Sequence, residues 1–235
     1  MSESRPDLAQ ERPLSGRRAF LSASIPDRNQ WQGEFDPLEI TDAVIACVSA
    51  IWTAGGKILC GGHPAITPLL LRVAHDFKST DRGRNPEREP LVTVYQSELY
   101  RQLVPAETRH LEAEGLGRLE FVPAEPGDRP RRPENERSLE RMRAAMLAKE
   151  NDPAFAVFIG GMDGIRKEYD KFHGQYEGRP VYAFGAPGGE ARELAAEFTR
   201  NQEYRRVNRG DLLQSAEYGA LMDDVLADVV TRMEY

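Results

Sequence analysis

Six short apolar runs recur along the chain: RAFLSAS, KILCGG, LVTVYQS, RLEFVPA, AFAVFIGG and PVYAFGA. Each has the length of a strand, and most are bounded by Gly, Pro or polar residues. Stretches of helical periodicity separate them. In PLEITDAVIACVSAIWTAGG, Ile40, Val44, Cys47, Val48 and Ile51 follow one helix face, and Gly55-Gly56 end it. Strands that alternate with helices pair in parallel, and a parallel sheet needs cover on both faces. The expected fold is therefore α/β: a parallel sheet with helices on both faces, in a single domain. A length of 235 residues suits one such domain with extra segments at its ends, since about 100–200 residues is usual.

Those extra segments are legible. Residues 1–16 are polar, with two prolines and no periodicity, and are expected to form a flexible leader. Residues 17–209 carry the fold, and residues 210–235 an amphipathic C-terminal helix. Asp211 is placed to cap that helix, and Leu221, Met222, Val225, Leu226, Val229 and Val230 form its apolar side. Such a side closes the domain core, packs in an oligomer interface or meets a partner effector. Two long loops, residues 78–90 and 124–134, are rich in proline and charge and serve as surface connections or as lids.

A formal net charge of -7 argues against nucleic acid as a partner, because that grip comes mainly from Lys and Arg on phosphates. The basic clusters DRGRNPERE and GDRPRRPENER are interleaved with acids and prolines. No apolar run approaches the roughly 20 residues of a membrane span, so no membrane association is expected. Cys47 and Cys60 lie in apolar stretches with no secretory signal ahead of them, which reads as a reducing, cytoplasmic setting.

In open parallel sheets, ligands lie beyond the C-terminal ends of the strands, where helix N-termini present amides to anions. Small residues gather at those places. The first strand ends with Ser22 and Ser24, the second with Gly61, Gly62, His63 and Thr67, and the fifth with Gly160, Gly161, Met162 and Gly164; a further turn brings Gly188 and Gly189. Tyr95, Gln96 and Ser97 end the third strand, either touching a ribose or base or simply terminating it. His63 either contacts a ligand or caps the following helix. None of these turns is a G-x-G-x-x-G fingerprint or a P-loop, so no cofactor is expected. His75, His110 and His173 lack metal-ligand spacing, so no metal is expected either, and no G-x-S-x-G elbow supports Ser22 or Ser24 as a nucleophile.

Two charges face inward. At 100° per residue, Arg143 falls on the side of Leu139, Met142 and Met146, while Arg141 points away. Glu168 falls on the side of Ile165, Tyr169 and Phe172, while Arg166 and Lys167 point outward. Buried charges need partners or ligands. Arg143 and Glu168 either form an internal ion pair or line the crevice as candidate catalytic residues.

MRAAM, an apolar strand and GGMDGIRKE together resemble the SLOG superfamily (the SMF/DprA and Lonely Guy group). Its enzymes carry an M-x-x-R-K-x-x-M helix followed by P-G-G-x-G-T-x-x-E. With FLSAS, GGHPAITP and VTVYQSELY, the resemblance runs from about Phe20 to Ala195 and is closest to prokaryotic SLOG families of antiviral and nucleotide-signalling loci. It implies a Rossmann-like sheet that binds a nucleotide or an NAD-derived ligand of the cyclic ADP-ribose kind, as a sensor. The alternative it implies is a Lonely Guy-like N-glycoside hydrolase acting on a nucleoside monophosphate. The arginine and glutamate of the hydrolase motifs match Arg143 and Glu168. Ile159 stands for the motif proline, Ile165 for its threonine and Ala144 for its lysine, and one residue is added between Gly161 and Gly164. The resemblance also implies a homo-oligomer; whether an effector is encoded separately is left open by the sequence.

Overall fold

A computed structural model of the chain describes residues 12–80, 90–201 and 209–233. The expected leader therefore lies largely outside the described residues, as does most of the loop 78–90. All six apolar runs form strands: β1 (Arg18–Ser24), β2 (Lys57–Gly61), β3 (Val92–Ser97), β4 (Gly117–Val122), β5 (Phe155–Gly160) and β6 (Val181–Phe184). They make one parallel sheet in the order β4-β3-β2-β1-β5-β6. The helices are α1 (Pro37–Thr53), α2 (Ile66–Ser79), α3 (Ala106–Ala113), α4 (Glu136–Met146), α5 (Asp163–Gln175), α6 (Glu190–Asn201), α7 (Arg209–Gln214) and α8 (Tyr218–Met233). No described helix is long and apolar enough to cross a membrane.

The period-2 alternation of each strand sorts its side chains between two apolar layers. Ala19 and Leu21 of β1, with Val157 and Ile159 of β5, pack on one side against α1, α2 and α8. Phe20, Ala156 and Phe158 pack on the other side against α4, α5 and α6. Asp36 starts α1, its carboxylate accepting from the Leu38 and Glu39 N–H groups.

The C-terminal segment is two helices, α7 and α8, separated at residues 215–217. The apolar side of α8 (Leu221, Met222, Val225 and Val229) is buried in the first layer. Asp228 is buried on the same helix and accepts from the Tyr182 hydroxyl at 2.7 Å and from Arg232 at 2.8 Å. Leu14, within the expected leader, is also buried in this layer, and its N–H reaches the Ala54 carbonyl. At the edge where the strands begin, Arg17, Arg179, Arg232 and Met233 line a hollow of ≈ 260 Å³.

The strand order reverses between β1 and β5, because β1 to β4 step one way and β5 and β6 the other. A crevice opens above such a reversal, where the adjoining loops part to opposite faces. Ser22 pairs with Phe158 and Ser24 with Gly160 there, so the ends of the two strands meet at its floor.

Candidate functional site

A cleft of ≈ 190 Å³ occupies this crevice. Ser22, Ser24, Gly61, Gly62 and His63 come to it from the ends of β1 and β2. Met162, Gly164 and Glu168 come from the start of α5, and Arg143 from α4. The sheet order thus gathers nine of the thirteen site residues expected from sequence.

Gly160 and Gly161 shape the floor and do not line the cleft. Both have positive φ, 65° and 72°, which glycine adopts without the clash a Cβ would bring. A Cβ on Gly160 would fall 2.6 Å from the Ser24 carbonyl oxygen. The Gly161 N–H donates to that carbonyl at 2.7 Å, so this amide is already committed. Gly188 and Gly189 press on the backbone of Glu34–Phe35 and of Gly160–Gly161. They buttress the turn instead of presenting amides to a ligand.

The N-terminus of α5 is open. Met162 precedes it and supplies no side-chain acceptor, which leaves first-turn N–H groups with the partial positive charge of a helix start. Arg143 lies beside this start. Its side chain is 5% exposed, and its Nε is buried without a hydrogen-bond partner. One long hydrogen bond runs from Nη1 to Glu136 at 3.4 Å. Glu168 and Glu140 stand at 3.6 and 3.9 Å. Lys167 holds Glu136 at 2.5 Å and Lys171 holds Glu140 at 2.6 Å. Glu136 and Glu140 are therefore shared with lysines, Glu168 is shared with Ser22, and the guanidinium keeps unspent donors at the cleft.

Glu168 faces Arg143 with its side chain 14% exposed. Burial raises its pKa above the usual carboxylate range, while the Ser22 hydrogen bond and the Arg143 charge pull it the other way. The ion pair and the lining role, which sequence left as alternatives, coexist. Ile165, at the threonine position of the SLOG motif, is buried in the second layer and offers only hydrocarbon.

Gln96 and Thr67 sit one cavity away, beside Gly62 and His63. The Thr67 hydroxyl accepts from the His63 N–H at 2.9 Å. The His63 ring accepts through Nδ1 from the Ala65 and Ile66 N–H groups at 3.3 and 3.4 Å. His63 thus caps the start of α2 while also lining the cleft. Its pKa falls to about 4 through burial, so the ring is neutral, with its proton on Nε2. Tyr95 hydrogen-bonds Asn151, and Ser97 caps the 3₁₀ helix Glu98–Leu103; both terminate β3. The Cys60 thiol is pushed up by burial and by Glu168, so it is no nucleophile.

Arg132 lines the cleft from the loop after β4 and pairs with Asp163 at 2.8 Å. Sequence reading left this loop open to a lid role without singling out Arg132, because GDRPRRPENER carries the composition of a solvated loop. The one available signal was that this loop leaves the C-terminal end of a strand. By the same logic the loop 78–90 joins the end of α2 to the start of β3, so its described ends stand at the opposite edge of the sheet.

Among known proteins, no curated protein matches the chain. The model of the SLOG cluster3 family matches residues 30–226, which takes in every element from α1 into α8; β1, with Ser22 and Ser24, precedes the matched span. That relationship supports a broadly nucleotide-binding or sensing role. With most of its length matched, the chain belongs to the SLOG cluster3 family.

Proposed function

We propose that the chain binds an anionic nucleotide or an NAD-derived ligand of the cyclic ADP-ribose kind in the β1/β5 cleft, and senses it in a signalling or defence setting. The carrying observation is Arg143: a buried, incompletely paired guanidinium beside an uncapped helix start. Oriented amides and one buried arginine suit a single phosphate or diphosphate and require no basic surface. Self-association and a separately encoded effector belong to the same proposal. The test is to incubate the protein with nucleoside monophosphates, NAD, ADP-ribose and cyclic ADP-ribose isomers, and to identify the recovered molecules by mass. One ligand retained intact, and lost by about 30-fold or more in Arg143→Ala as for a buried charge contact, supports sensing. No retention of any compound would overturn the reading.

The placement of Glu168 favours a second reading, N-glycoside hydrolysis. A carboxylate within the cleft can stabilise positive charge developing on a ribose while Arg143 orients the phosphate. Free base released by the chain, and not by Glu168→Gln with binding kept, would select this reading.

A further inference from the structure

Across Gly62 and His63 from the cleft lies a second cavity of ≈ 240 Å³, between the ends of β2 and β3, the start of α2 and α3. Its walls are largely apolar: Pro64, Pro68, Val94, Leu103, Val104 and Leu119. Three polar side chains interrupt them. The Gln96 Oε1 accepts from the Ser97 N–H at 3.0 Å, which orients the amide and leaves Nε2 as a donor. The Tyr100 hydroxyl accepts from Asn135 Nδ2 at 2.6 Å and keeps its own proton to give. Thr108 is wholly buried, and its Oγ1 has no hydrogen-bond partner, an uncommon state for a buried hydroxyl.

Apolar walls with a few fixed donors suit a planar heteroaromatic ring, which gains from burial and offers acceptors at its edge. An alkyl chain would leave the Gln96 and Thr108 groups unanswered. Size points the same way. Neither the ≈ 190 Å³ cleft nor the ≈ 240 Å³ cavity reaches the roughly 300–1,000 Å³ of ligand pockets, whereas a ligand that passes over Gly62 and His63, which line both, would draw on the two together.

We infer that the second cavity is the ring subsite for the ligand of the cleft. The ligand then spans Gly62 and His63, with its anionic group at Arg143 and its heteroaromatic ring against Gln96 and Thr108. This rests on the anion-binding reading above and adds that the ligand carries a base on the β3 side of its sugar phosphate.

The experiment compares ribose 5-phosphate with the nucleoside 5′-monophosphates that contain it, by calorimetry on the full chain. Wild-type protein is expected to bind the best monophosphate at least about tenfold more tightly, as burial of a ring's apolar area implies. Leu103→Trp changes an exposed rim residue, and Thr108→Val keeps volume while removing an unpaired hydroxyl, so both are expected to fold. Each should shrink the preference for the monophosphate by about fivefold while leaving ribose 5-phosphate affinity within about twofold, the scale of one lost contact. Monophosphates that bind no better than ribose 5-phosphate would overturn the ring subsite and leave the anion site standing. A preference unchanged in both variants would also overturn it, and an altered oligomeric state in Leu103→Trp would then name a second copy of the chain as the occupant. ADP-ribose completes the series, and binding of none of these compounds would overturn both.

Discussion

The Ser22 hydroxyl donates a 2.5 Å hydrogen bond to Oε2 of Glu168, joining β1 to α5 across 146 positions of sequence. It fixes one carboxylate oxygen and leaves Oε1 toward Arg143 and the cleft. Because this bond lowers the Glu168 pKa against the effect of burial, Ser22→Ala is expected to raise it further. A carboxyl-detected NMR titration of the two proteins reads the midpoint directly, and an unmoved midpoint would show that the hydroxyl plays no part in setting it.

Glu168 also links stability to pH. Its folded pKa lies above the unfolded value of about 4.3. Its contribution is therefore fully present below that value and is lost as pH rises through the folded pKa. Glu168→Gln mimics the neutral form at every pH. Urea denaturation at pH 4 and pH 8 should show the variant gaining on the wild type at the higher pH; parallel changes would refute the linkage.

His63 acts in the opposite direction. Burial lowers its pKa to about 4, below the unfolded value of about 6.5. Its contribution is full above that value and is lost as pH falls toward 4. Asn at this position can cap the same Ala65 and Ile66 N–H groups through its side-chain oxygen. His63→Asn should keep the fold near neutrality and flatten the stability profile between these two values, as followed by thermal melts; an unchanged slope would assign it to other groups.

Two glycines of one turn should respond differently. A Cβ on Gly161 would clash with Ile165 Cγ1 at a φ of 72°, so Gly161→Ala should cost about 1–3 kcal/mol in chemical denaturation. A Cβ on Gly164 would meet only Arg143 Nη2, at 3.5 Å. Gly164→Ala should keep stability or raise it by up to about 1 kcal/mol, since alanine favours helix, while weakening phosphate binding by crowding the guanidinium. A similar loss of stability in both would contradict the separate roles of shape and lining.

The strands and the inward charges were legible because each depends on local periodicity. Alternation marks the faces of β1 and β5, and 100° arithmetic turns Arg143 and Glu168 toward the sheet. Sheet order is not local. Gln96 and Thr67 moved one cavity over because β2 and β3 run away from the reversal at β1 and β5. The commitment of the Gly161 amide to Ser24 was hidden for the same reason, since the carbonyl that takes it belongs to another strand. Arg132 escaped notice because the composition of a loop records its exposure and not the feature it overhangs. His63 was open to either role, and its capping role depends on how closely Ala65 and Ile66 turn back toward its ring.

The hollow shared by Arg17 and Met233 carries a practical consequence. It brings the first strand and the last helix together at the edge where the strands begin, with the six-residue β5 between them and the cleft, about 20 Å at ordinary strand rise. A small fluorophore carried on the side chain of Arg17 or Met233 after substitution by cysteine therefore stands behind the sheet, where it leaves the ligand's approach unobstructed.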